Sequence, residues 1–126
     1  MGTAKVEIAL VAKADAYGHG LVPISRFACQ HGVDWVAVAT VQEGIALRDA
    51  GIEKPIMVLS PILPIECDQA VFYNLDVLIE NIVMARHLDA AANKIGTVAR
   101  VHLEVDTGIH RFGCDPREAA KLAREI

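Results

Sequence analysis

Short runs rich in Val, Ile, Ala and Leu recur along the chain, and each is followed by a longer stretch whose apolar residues return every three or four positions. The runs are residues 6–12, 35–39, 55–59, 76–79 and 98–105, and their β-branched content predicts five strands. Between them residues 21–31, 42–50, 64–73 and 81–93 carry helical spacing. Asp115 followed by Pro116 has the form of an N-cap with proline at the first helical position, opening a fifth helix. The order is strand then helix, repeated five times. Such alternation predicts a parallel sheet joined by right-handed crossovers, with mostly apolar strands covered on both faces.

Two α/β architectures accommodate five parallel βα units, an open doubly wound sheet and part of an eight-stranded barrel of TIM type. Local pattern does not separate them. A dinucleotide fold asks for GxGxxG directly after the first strand, and that position holds Ala14-Asp15-Ala16-Tyr17-Gly18-His19-Gly20, with its glycines at other spacings. A whole barrel takes about 250 residues, so a chain of 126 residues would supply half of one.

Composition narrows the function classes. At 53% apolar residues the chain can build a core, which excludes a disordered tail. Twelve Lys and Arg against sixteen Asp and Glu leave a net charge of −4, so no global positive field gathers nucleic acid or anionic lipid. No apolar run approaches the roughly 20 residues of a membrane span, and residues 1–15 lack the basic start and uninterrupted apolar stretch of a signal peptide. The expected setting is the cytoplasm. Cys29, Cys67 and Cys114 are odd in number and widely spaced, which fits reduced thiols rather than a disulfide framework or paired zinc ligands.

Lys13 is the first candidate for chemistry. It stands at the carboxyl end of the first strand, the edge where functional groups of parallel α/β folds collect, and a lysine lodged there can condense with an aldehyde. The plain alternative is an exposed lysine on a turn. Strand alternation puts His102, Glu104 and Asp106 on one face. Three possible ligands in a row suggest a metal, but polar residues pointing into a barrel explain them as well, and no further ligand cluster accompanies them. Asp106-Thr107-Gly108 also matches the tripeptide of aspartic proteases, whose nearly all-β fold is at odds with the helices expected here. His19, His31, His87 and His110 form no spaced set.

Lys13-Ala14-Asp15-Ala16-Tyr17-Gly18-His19-Gly20 resembles the signature of alanine racemases, and Val105-Asp106-Thr107-Gly108-Ile109-His110-Arg111-Phe112-Gly113 is similar to a later segment of the same family. Residues 38–43 and the strand at Pro55 read like the pattern between them, so the likeness covers nearly the whole chain. The resemblance implies a pyridoxal 5'-phosphate-dependent isomerase that interconverts L- and D-alanine, supplying D-alanine for peptidoglycan. It implies that Lys13 holds the cofactor as an aldimine and acts as the base on one face of the amino acid. Tyr17 would direct its hydroxyl toward the cofactor phosphate region, and Gly18 and Gly20 would let the chain turn sharply beneath it. Arg111 would sit near the cofactor ring oxygen and the substrate carboxylate, a use suited to its planar fork of donors. The plain alternatives are an amphipathic packing role for Tyr17 and a solvated loop position for Arg111.

Many family members carry at position 104 a lysine, often carbamylated; Glu104 would supply a similar negative charge to Arg111 from a shorter stem. Its alternative is a polar residue filling the barrel. The resemblance also implies a second base, a tyrosine from another subunit, which neither Tyr17 nor Tyr73 supplies. The expectation for residues 1–126 is therefore a partial amino-terminal barrel domain without the family's C-terminal β domain, acting on alanine and self-associating as a homo-oligomer. The alternative from another class is a non-catalytic cofactor carrier or half-barrel scaffold, and within enzymes a related amino acid racemase or decarboxylase.

Overall fold

Five parallel strands form within the apolar runs: β1 (Ala9–Val11), β2 (Trp35–Val38), β3 (Ile56–Val58), β4 (Asp76–Ile79) and β5 (Arg100–Leu103). A computed structural model describes residues 6–126; residues 1–5, the start of the segment read above for a signal peptide, lie outside the described residues. Four helices fill the intervals and a fifth follows the last strand: α2 (Leu21–Gln30), α3 (Val41–Asp49), α4 (Cys67–Phe72), α5 (Ile82–Ile95) and α6 (Pro116–Glu125). A single turn, α1 (Lys13–Tyr17), sits between β1 and α2.

The local rules act as expected at most helix starts. Asn81 caps α5 by accepting the Met84 N–H at 3.0 Å, and Asp115 caps α6 with Pro116 in the first turn. Segment 64–73 instead begins as a 3-10 turn, Pro64–Glu66, before α4. β1 is shorter than its apolar run because the Ile8 N–H is taken by the Asp34 carboxylate at 2.9 Å rather than by a strand carbonyl.

The strands follow one another in the order β1-β2-β3-β4-β5. A doubly wound sheet reverses its direction of growth, whereas here each right-handed crossover steps the same way and leaves the helices on one face. The fold is therefore part of a (β/α) barrel. Side chains alternate accordingly. Val36, Val38, Ile56, Val58, Val77 and Ile79, each at most 2% exposed, face the helices and join Leu47, Ala70, Leu88 and Ala91 in one core. Trp35, Met57, Asp76, Leu78 and His102 take the other face.

That second face is concave. β2 and β5 are three strand spacings apart, about 14 Å in a flat sheet, yet the Trp35 and His102 rings meet edge to face with centroids 5.7 Å apart. Asp76, 4% exposed, sits between Arg100 Nη2 at 3.1 Å and His102 Nε2 at 3.4 Å. Its charge is compensated by proximity, although neither donor is aimed well enough for a hydrogen bond.

Candidate functional site

The end of β1 is built by two peptide ladders that run out at once. Ala12, fully buried, donates its N–H to Ala37 O at 2.8 Å, the last backbone link between β1 and β2. Lys13 follows, half-buried, at the carboxyl rim of the sheet, and its amine makes no hydrogen bond or ion pair among the described residues. The chain then turns against its usual hand. Ala14, Asp15, Ala16 and Tyr17 have φ of 53°, 53°, 52° and 57°, one turn of left-handed helix made from residues that carry side chains.

Such a turn costs roughly 1–2 kcal/mol per residue, so its surroundings must impose it. They do so with bonds at every step. Ala16 N donates to Ala12 O at 2.8 Å, Gly18 N to Asp15 O at 3.1 Å and Gly20 N to Asp15 O at 2.9 Å. The Asp15 carboxylate accepts the Leu21 N–H at 2.7 Å, joining the turn to the start of α2. Gly20, at φ +94°, lets the chain pass over Pro23, whose Cγ would stand 2.8 Å from any Cβ there. The side chain of Ala16 is 4% exposed, while the Tyr17 ring is 63% exposed and its hydroxyl has no partner among the described residues.

Sequence reasoning passed over Glu43. Its Oε1 accepts the Ala14 N–H at 2.8 Å and its Oε2 accepts those of Ala39 and Thr40 at 2.8 and 3.2 Å. The Thr40-x-x-Glu43 spacing of a capping box was the available signal, and the box is formed, with Glu43 N donating to Thr40 Oγ1 at 3.2 Å. The contact with Ala14 depends on tertiary structure and had no signal.

Across the same rim, the segment after β5 folds back on itself. Cys114 N donates to Glu104 O at 2.9 Å and Asp106 N to Cys114 O at 3.0 Å, while the Gly113 N–H reaches Glu80 Oε2 at 3.1 Å. The Asp106 carboxylate is turned into its own loop, accepting from Gly108 N at 2.9 Å and His110 N at 3.0 Å, with His110 Nδ1 2.7 Å away. His102 turns to Asp76, so these two side chains do not converge with Glu104 on one point. Arg111 is exposed, its guanidinium 5.2 Å from the centre of the Phe112 ring. No ion pair joins it to Glu104, which lines a small cleft with Pro61, Ile62, Ile79, Glu80 and Asn81.

The backbone N–H groups of Gly108 and His110 hold the Asp106 carboxyl below its ordinary range, with the His110 ring adding to the effect. A lowered folded-state pKa means that the loop's order is complete above the ordinary aspartate value of about 3.9 and is lost as pH falls through the lower folded value. The amide resonance of Gly108 is thus expected to hold steady from about pH 5, below the ordinary imidazole range, down through about 4 and to move only below it. A midpoint at or above the ordinary value in a pH series of amide spectra would dismiss the anchoring role.

Lys13, Tyr17 and Arg111 all occupy the carboxyl rim, but on segments that follow the two outermost strands of the five, with no contact between the lysine and the arginine. Tyr73 closes α4 just before β4 begins, at the opposite rim. An amine, a phenol and a guanidinium on one rim suit an aldehyde together with anionic groups.

The family profile described as "Alanine racemase, N-terminal domain" matches residues 1–126. Alanine racemase of Treponema denticola is 44% identical over 122 residues, 96% of this chain and 32% of that protein. Among solved structures, alanine racemase of Clostridium difficile 630 superposes with a TM-score of 0.93 at 32% identity, covering 95% of this chain and 32% of the other. Histidine racemase from Leuconostoc mesenteroides subsp. sake superposes at 0.86 with 29% identity, covering 94% and 32%. The chain spans about a third of the length of the relatives it matches.

Proposed function

The chain belongs to the alanine racemase N-terminal domain family, and from that premise we propose that it carries the cofactor lysine of a pyridoxal phosphate-dependent racemase that interconverts L- and D-alanine, with Lys13 as that lysine. One observation carries the reading: an amine without a partner among the described residues at the carboxyl end of β1, on a backbone locked by the left-handed turn that follows it. The donor set fits the group. Lys13 offers the amine for an aldehyde, the Tyr17 hydroxyl a donor for a phosphate, and Arg111 a fork for a carboxylate or a ring oxygen.

When bound, pyridoxal phosphate supplies an electron sink that makes the α-hydrogen of an amino acid removable. Lys13 Nζ takes or returns that proton on one face. Arg111 would orient the substrate through its carboxylate, and the Tyr17 hydroxyl would donate to the cofactor's phosphate. The opposite face needs a second acid. Tyr73 stands at the other rim and does not serve, so that group comes from outside this segment, in keeping with a homo-oligomer. D-alanine made in this way would feed peptidoglycan synthesis. The likeness to a histidine racemase supports a second reading, a racemase of another amino acid on the same lysine, with side-chain preference set outside this segment.

The test is covalent. The purified chain is incubated with pyridoxal phosphate, reduced with borohydride and mapped by peptide mass. Label is expected on Lys13 in preference to Lys5, Lys54, Lys94 and Lys121, and Lys13→Arg is expected to remove it. Label spread over several lysines, or none, would point instead to a scaffold with no cofactor site.

A further inference from the structure

We propose that Glu43 is a positioning residue for Lys13: its carboxylate spans the ends of β1 and β2 and fixes the backbone from which the lysine amine projects. The inference rests on the proposed attachment of the cofactor at Lys13. The β1–β2 ladder ends at the bond from Ala12 N to Ala37 O. Two residues further on, Ala14 turns into the left-handed region and its N–H no longer faces a strand carbonyl. Glu43 Oε1 takes that N–H at 2.8 Å, and Oε2 takes the N–H groups of Ala39 and Thr40 just beyond β2. One side chain thus extends the strand pairing past the point where the ladder stops.

The location of this tie gives it consequence. Ala14 is both the neighbour of Lys13 and the first residue of a turn whose conformation is unfavourable in isolation. The turn is held at its far end by the Asp15 carboxylate on Leu21 N, and at its near end by Glu43. Releasing the near end frees the peptide that follows Lys13 and lets the amine wander over the rim. Three donors are shared between two acceptor oxygens. An amide offers one oxygen, and its NH₂ would face N–H groups, so glutamine cannot keep both arms.

Glu43 also caps α3, through Oε2 on the Thr40 N–H, while the bond to Ala14 is made by Oε1. The cap from the other side is Thr40 Oγ1, which accepts from Glu43 N and does not touch Ala14. Thr40→Val therefore weakens the helix start while leaving the carboxylate on Ala14, and serves as the control for helix capping alone.

The experiment compares the unsubstituted chain with Glu43→Gln, Glu43→Ala and Thr40→Val. Two quantities are read in each: amide hydrogen exchange at Ala14, and the share of borohydride-trapped pyridoxal phosphate found on Lys13. In both Glu43 variants exchange at Ala14 is expected to rise at least about tenfold and the Lys13 share to fall about fivefold or more. Thr40→Val is expected to leave both unchanged. Glu43→Gln is nearly isosteric and carries the test should the alanine variant fail to fold. Unchanged exchange at Ala14 overturns the proposal, as does faster exchange with the Lys13 share intact, or a Thr40→Val variant that reproduces the Glu43 effects. Indiscriminate labelling of the unsubstituted chain would remove the cofactor reading itself, and the proposal with it; that failure is visible before any variant is made.

Discussion

Replacing Arg48 with methionine is expected to lower the stability of this chain by about 2–4 kcal/mol. The guanidinium of Arg48, at the end of α3, donates from Nε to Tyr73 O at 3.0 Å and from Nη2 to Asn74 O at 2.8 Å. Its Nη1 donates to Ile52 O and Lys54 O, each at 2.7 Å. Four carbonyls from the loops entering β3 and β4 thereby converge on one planar cation. Burial pulls its pKa down, nearby Arg100 adds to that and Asp76 opposes it, but a guanidinium remains charged throughout the neutral range. Each bond from a charged donor contributes about 1.5–3 kcal/mol when desolvated; the sum is less here because the site is partly exposed and freed carbonyls can take water.

Methionine keeps the stem and loses all four donors. Lysine keeps the charge, but its compact ammonium cannot reach four acceptors in a plane, so Arg48→Lys is expected to cost about half as much. Urea unfolding should show the midpoint falling in that order with an unchanged slope. A methionine variant within about 0.5 kcal/mol of the parent would show that these loops are held by something else.

The strand and helix count was legible because β-branched runs and helical spacing alternate along the whole chain, and the cap at Asp115 follows from short-range chemistry. What decides between two α/β architectures was not legible in the local pattern, and only the resemblance carried by the Lys13–Gly20 motif pointed to the barrel that the strand order bears out. The deciding feature is the direction in which each crossover steps, a relation between strands some 20 residues apart that leaves no local mark, and the edge-to-face contact of Trp35 with His102 shows the resulting curl. The segment after Lys13 was recognisable as a motif, yet its left-handed backbone runs against the preference of Ala, Asp and Tyr. Propensity reasoning fails at such a place for a physical reason, since the turn is held by bonds to Leu21 and Glu43, which lie outside the residues that adopt it. Arg48 was silent for a similar reason: an arginine near a helix end reads as a surface charge until the loops it ties are placed around it.

Gly113→Ala is expected to undock the loop that carries Arg111 while leaving the rest of the fold in place. A Cβ at position 113 would stand 2.5 Å from Asp106 N, 2.8 Å from Val105 C and 3.2 Å from Asp106 Cα, all backbone atoms that no rotamer change can move. The residue also sits at φ +102°, where alanine is strained in any surroundings. The clash falls on the bridge that pairs Val105 with Cys114, so relief requires giving up the bonds between Cys114 N and Glu104 O and between Asp106 N and Cys114 O. Because the loop can detach, the loss of global stability is capped by its own docking free energy, on the order of 2–3 kcal/mol. The same docking free energy is read directly at the loop's own amides. Exchange at the Asp106 and Cys114 amides should accelerate about a hundredfold, while amides of β2 and β3 change only with the modest fall in global stability. If Arg111 grips the cofactor or its substrate, the same variant should bind pyridoxal phosphate more weakly while Lys13 remains the labelled residue. Native protection at Asp106 and Cys114 in the alanine variant would mean that the bridge tolerates a side chain at 113, and that its tightness has no part in placing Arg111.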